Sequence, residues 1–182
     1  MSESESRTRV ARMEIANRLF FKLYQCANLL HKTGTKAVES EGLTTQQWAV
    51  LGALTRTEAQ NGMSVGDLAR YLLVSRQNLT GVIGRMERDG RIRVDPDPRD
   101  RRSRLVRMTV EGEQVWRELA LPKIHRFYAD ALDGFSTTDL VHTAHYLVKL
   151  LANMERLDNG TETDSDSDSE LDSESAALQA LD

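Results

Sequence analysis

A mainly α-helical fold with a small β-wing follows from three features of the sequence. Apolar residues recur at steps of three and four through most of the chain, in segments opened by Ser or Thr with Gln or Asp three residues on. Two such segments, 65–72 and 75–89, are separated only by Leu73 and Val74, so their helices must cross at a steep angle. Two short alternating runs, 91–94 and 105–108, then flank a tip rich in Pro and Arg, as two half-exposed strands would. Together these predict a mainly α fold with a winged helix-turn-helix and further helices on either side.

In chain order, residues 1–9 are polar and expected to be disordered. From 10 to about 33, Val10, Met13, Ala16, Leu19, Phe20, Leu23, Ala27 and Leu30 mark a long amphipathic helix with no Pro or Gly. Phe21 and Tyr24 add a second apolar edge, which makes the stripe wide enough to bury against two bodies, its own domain and a second subunit. Thr44, with Gln47 three residues on, opens a helix whose inner face is Trp48, Val50, Leu51 and Leu54. Ser64 and Asp67 open the helix to Leu72; Ser75 caps the next, which stops at Gly90. Leu68, Leu72, Val74, Leu79, Val82, Ile83 and Met86 supply a small core, with Ala69 where the helices approach closely. Leu73 occupies a turn that often carries Gly. Thr109 caps a helix from 111 to about 132 in which Pro122 marks a kink or break. Ser136 and Asp139 open a last helix to about Leu157, and a Ser/Asp/Glu-rich tail from 158 to 182 is expected to be disordered.

Charge is distributed unevenly. The chain has 24 Lys and Arg against 28 Asp and Glu, but nine of the acids and none of the bases lie in 158–182. The body is therefore basic, and 64–109 alone holds eleven Arg against six acids, an asymmetry that suits a polyanion partner. The single cysteine, Cys26, excludes an intrachain disulfide and fits a reducing compartment. No run reaches the ~18 apolar residues of a membrane span, and the N-terminus has no apolar core of a signal peptide, so a cytoplasmic protein without a membrane partner is expected. No nucleophile–base set, phosphate loop or dense ligand cluster is present, so neither an enzyme nor a cofactor or metal site is expected.

Residues 75–88 have the composition of a recognition helix: short polar and Arg side chains near a helix N-terminus face base edges in the major groove. Ser75, Arg76, Gln77, Asn78, Thr80, Gly81 and Arg85 are the expected contacts. Gly81 and Gly84 each cost about 1 kcal/mol against Ala in a helix, and would admit either a DNA backbone or a neighbouring helix. At the tip, Arg99, Arg101, Arg102 and Arg104 suit a narrow minor groove, where negative potential is highest. Asp97 and Asp100 are unsuited to DNA and would brace the arginines by bidentate pairing.

These segments resemble the MarR family of transcriptional regulators. The likeness rests on LTTQQWAVLGAL, on MSVGDLARYLLVSRQNLTGVIGRMERDG and on DPRDRRSRLVRMT followed by EGE. It implies a MarR-type domain over 10–157, with dimerisation helices at 10–40 and 111–157 and a DNA-binding winged helix at 44–109. It implies a homodimer on a pseudo-palindromic operator, with base readers in 75–85, Arg101 and Arg102 at DNA and Asp100 as a brace. It also implies a repressor released by a small molecule bound between the dimer core and the winged domain. Phe21, Gln25, His31, Trp48, Arg126 and Tyr128 are the candidate effector residues. The first helix is similar to those of family members that answer to aromatic acids or their CoA thioesters; Lys22, Lys32 and Lys36 would meet CoA phosphates or simply face solvent. Three other readings stand beside this one. Cys26 would be a redox sensor or a buried inert thiol. His142 and His145 would bind a metal or lie on the surface. An effector-free architectural protein would coat DNA without sequence preference. The acidic tail would solubilise the chain or compete with DNA for its basic face.

Overall fold

The computed structural model describes the backbone of residues 3–100 and 102–178 and the side chains of 4–100 and 102–159. It divides into two compact units, 1–131 and 132–182.

The first unit opens with α1 (Glu3–Val38). This helix starts within the stretch expected to be disordered, because nothing before Gly34 interrupts helical propensity. Its last turns pack on α2 (Thr45–Leu54), which has the complete capping box expected at Thr44 and Gln47. Gly34 permits that crossing: a Cβ there would lie 3.0 Å from Thr45 Oγ1 and 3.1 Å from the Trp48 ring. The short strand β1 (Met63–Ser64) leads into α3 (Val65–Leu72), and Ser75 caps α4 (Arg76–Arg88) as its position predicts. Leu73 forms the turn with φ 53°, the only non-glycine with positive φ among the described residues. The turn therefore has the left-handed geometry that Gly usually supplies, imposed on Leu at a cost of about 1–2 kcal/mol.

The wing consists of β2 (Ile92–Pro96) and β3 (Arg104–Met108), paired antiparallel with Val94 opposite Val106. β1 pairs with the other edge of β3, so the sheet has three strands in the order β1-β3-β2 rather than the two expected. Thr109 caps α5 (Val110–Gln114), which runs through a π-helical segment (Val115–Ala120) into α6 (Leu121–Ala131). Pro122 thus neither breaks nor ends the helix. The wider turn before it, where the Leu121 N–H bonds to the Trp116 carbonyl, accommodates the residue that lacks a donor. The core lies between α2, α3, α4, the sheet and α6, around Leu51, Leu68, Met86, Ile92, Val106 and Ile124. Val74, expected in it, is 41% exposed.

The second unit is chiefly α7 (Thr137–Leu178), opened by the expected Ser136–Asp139 box. The helix is continuous past Leu157 and through Gly160, since one glycine costs too little to end it. Of the acidic tail expected to be disordered, the side chains from 160 on lie outside the described residues.

Candidate nucleic-acid interface

The N-terminus of α4 presents its side chains to solvent because α3, packed behind Leu79, Val82, Ile83 and Met86, fixes which face is buried. Ser75 Oγ accepts the Asn78 N–H at 3.2 Å, so this residue is first of all the cap. Arg76 extends over Gly66: a Cβ on that glycine would lie 2.7 Å from its Nη2. Thr80 is exposed, and its Oγ1 donates to the Arg76 carbonyl at 2.8 Å. Gln77, Asn78 and Arg85 are exposed. A Cβ on Gly81 would meet only Arg85 Nη1, at 3.7 Å, and one on Gly84 nothing within 4 Å. No helix described in this chain approaches them, so the space there is open to a partner.

At the wing tip Asp97 and Asp100 act differently from expectation. Asp97 Oδ1 accepts the Arg99 N–H and Asp100 Oδ1 the Arg102 N–H, each at 2.9 Å. Ser103 closes the turn, its N–H bonding to the Asp100 carbonyl and its carbonyl accepting the Asp97 N–H. These are Asx-type turns that stiffen the backbone, and no described ion pair joins either aspartate to an arginine. The reason is reach: a short carboxylate side chain meets an amide two residues on more readily than the far end of an arginine. Arg99 and Arg102 are exposed without a described acidic partner. Arg104 is tied back to the Val94 carbonyl at 3.1 Å. Arg101 lies outside the described residues. The other arginines of the segment are largely engaged: Arg91 with Glu111, Arg70 with Asp67, and Arg93 and Arg107 with Asp95. The arginines without a described acidic or carbonyl partner are thus Arg76 and Arg85 on α4 and Arg99 and Arg102 at the tip.

The candidate effector residues do not converge on one site. Trp48 is buried, its ring 5.9 Å from Phe127 and 5.7 Å from Tyr128. Burial there pushes the Tyr128 phenol up, opposed by a hydrogen bond from Trp48. His31 lines a separate cleft of about 270 Å³ with Leu30, Ala49, Leu72, Val74 and Asn78, between the end of α1, α2 and the helix-turn-helix. Phe21 is 63% exposed on α1, Gln25 there accepts from Lys22 Nζ at 3.0 Å, and Arg126 is exposed on α6. Phe127 was missed, although its spacing from Ile124 marks it as core-facing. Cys26 is exposed in the single chain, not buried, because the apolar face it shares with Leu19 and Leu30 is itself uncovered. Among the described residues no group of three or more His, Cys, Asp or Glu is placed to hold a metal, and no helix is long and apolar enough to cross a membrane.

A helix-turn-helix whose second helix and wing tip both present unpaired arginines defines a winged-helix nucleic-acid-binding protein. Comparison with known proteins makes this specific. The MarR family model matches residues 41–103, from just before α2 to the wing tip. The transcriptional activatory protein BadR of Rhodopseudomonas palustris is 71% identical over 150 residues, which cover 82% of this chain and 86% of that protein. The homoprotocatechuate degradative operon repressor of Escherichia coli is 29% identical over 63% of this chain and 75% of its own. Among solved structures, reduced AbfR bound to DNA superposes with a TM-score of 0.65 at 22% identity, covering 80% of this chain and 98% of that one. The chain belongs to the MarR family and is a DNA-binding transcriptional regulator.

Proposed function

We propose that the chain is a cytoplasmic homodimer that binds a pseudo-palindromic operator. Each copy would place the start of α4 in a major groove and its wing tip in the flanking minor groove. The observation that carries this reading is where the unengaged arginines lie: Arg70, Arg91, Arg93 and Arg107 pair with carboxylates, Arg88 and Arg104 bond to backbone carbonyls, and Arg76, Arg85, Arg99 and Arg102 have no described acidic partner. The uncovered apolar residues of α1 (Leu19, Phe20, Leu30) and of α7 (Leu147, Leu151, Met154) support a second copy as the dimer partner. We read the direction of control as activation, after the 71% identical activatory protein, while the operon repressor at 29% supports the repression expected from the family likeness. The effector we propose is a small aromatic acid or its CoA thioester. The degradative operon of the 29% relative and the apolar cleft beside His31 support that class. Fluorescence anisotropy on a duplex from the chain's own upstream region tests the core of the reading. Alanine at Arg76 or Arg102 is expected to weaken binding tenfold or more and to flatten its salt dependence by about one unit of slope for a phosphate contact. Unchanged affinity and slope in both variants would contradict it.

A further inference from the structure

We infer that a second cleft, walled by Arg56, Arg93, Arg107 and Arg117, binds a small amphipathic organic anion: a carboxylate or phosphate on an apolar body. This goes beyond the function proposed above, because the cleft shares no residue with the one beside His31. Its volume is about 680 Å³, within the ~300–1,000 Å³ of small-molecule sites. Leu54 and Trp116 supply apolar lining.

The charge arrangement suits an anion: four arginines line the cleft against one carboxylate, Glu113. Arg93 and Arg107 are direct partners across the β2–β3 ladder, and like charges so placed destabilise an antiparallel pair. A single carboxylate serves both: Asp95 Oδ2 lies 3.2 Å from Arg93 Nε and 3.0 Å from Arg107 Nη1. Arg107 spends a further donor on the Asn61 carbonyl. From the facing wall Arg117 reaches Glu113 only at 3.9 Å. Each guanidinium has five donors, and most of those on Arg93 and Arg117, whose side chains are 62% and 73% exposed, face solvent rather than a described protein acceptor. Arg56 is positioned by Glu58 at 3.3 Å and by the Tyr71 hydroxyl at 2.7 Å.

A second feature concerns the facing wall, where the turn that accommodates Pro122 also lines the cleft. Trp116 and Arg117 both belong to the π-helical segment Val115–Ala120, and such turns recur at functional sites. The wider turn places an aromatic ring and a cation side by side at the cleft. An anion held by Arg93, Arg107 and Arg117 would therefore bridge the wing to the helix that follows it, and so bear on the wing's orientation.

The test uses the full chain with Trp48→Phe, which leaves Trp116 as the sole tryptophan. Phenyl phosphate, benzoate and inorganic phosphate are titrated against sodium chloride at matched ionic strength, with Trp116 emission as the readout. A saturable change with phenyl phosphate or benzoate is expected, and the stronger of the two identifies the head group. Arg93→Gln and Arg117→Gln are each expected to weaken it about tenfold, since each removes a charge-assisted contact, while Arg70→Gln, outside the cleft, leaves it unchanged. Calorimetric titration of the wild-type chain against the same arginine variants gives the same comparison without altering the core at Trp48. Absence of saturation with both aryl compounds, or wild-type affinity in the Arg93 and Arg117 variants, overturns the site. Inorganic phosphate binding as tightly as phenyl phosphate overturns the amphipathic class.

Discussion

The Asp100 carboxylate accepts the Arg102 N–H at 2.9 Å, and this bond dictates how substitutions there behave. Asn retains a side-chain oxygen in the same place, so Asp100→Asn is expected to keep operator affinity within about twofold. Asp100→Ala loses a bond worth about 1 kcal/mol and frees the tip, so a loss of about fivefold is expected in the same anisotropy titration. Equal losses in both variants would favour the pairing with arginine that the sequence suggested. At Gly112 the constraint is steric: a Cβ would stand 1.9 Å from the Arg91 carbonyl oxygen. That carbonyl also accepts the Thr109 N–H at 3.2 Å, and Thr109 in turn caps α5. Gly112→Ala must therefore part the wing from the helix behind it. Chemical denaturation is expected to show a loss of about 1–3 kcal/mol, the usual range for overpacking.

Between elements, the 3-10 turn that follows α1 (Glu39–Glu41) is fastened to α6 where Lys123 Nζ contacts both Glu41 and Ser40. The Lys123 ammonium holds the Glu41 carboxyl below the usual carboxylate range, against the opposing pull of desolvation. A carboxyl lowered in the folded state adds stability above its unfolded pKa and loses it as pH falls through the folded one. Denaturation midpoints are thus expected to fall on acidification, by more in the wild type than in Glu41→Gln; parallel pH profiles would show that the clamp contributes nothing. Elements governed by near neighbours in sequence were legible in advance: the boxes at Thr44 and Ser136, the cap at Ser75 and the stop at Gly90 are all local chemistry. Elements defined by partners far along the chain were not. Met63–Ser64 is a strand only because β3 lies beside it, and Leu73 takes its left-handed turn because packing of α3 on α4 outweighs the residue's own preference. Pro122 suggested a break because the π segment that accommodates it has no sequence signature of its own. At the candidate site, residue types and spacing located the α4 face and the wing. The scatter of the effector residues over several surfaces depended on helix packing that periodicity does not encode.

For the whole molecule, the exposed apolar residues along α1 and α7 are too numerous for a lone chain in water; Phe21, Tyr24, Tyr146 and Val148 are each more than 60% exposed. A second copy covering them would set the spacing of two recognition helices, and with it the spacing of two half-sites at about one helical turn. Cys26 lies on one of these uncovered faces, so its access to oxidants would change on dimerisation. The same geometry separates a specific regulator from a protein that merely coats DNA, because only a fixed spacing enriches a two-fold symmetric sequence. The most direct measurement is selection of the full-length chain on a random duplex library at physiological salt, followed by sequencing of the bound fraction. Enrichment of a pseudo-palindrome with half-sites about 10 base pairs apart, lost when Arg76 and Arg102 are both alanine, is the predicted result. Retention of duplexes with no enriched motif would contradict the assignment of α4 and the wing as a sequence-reading pair.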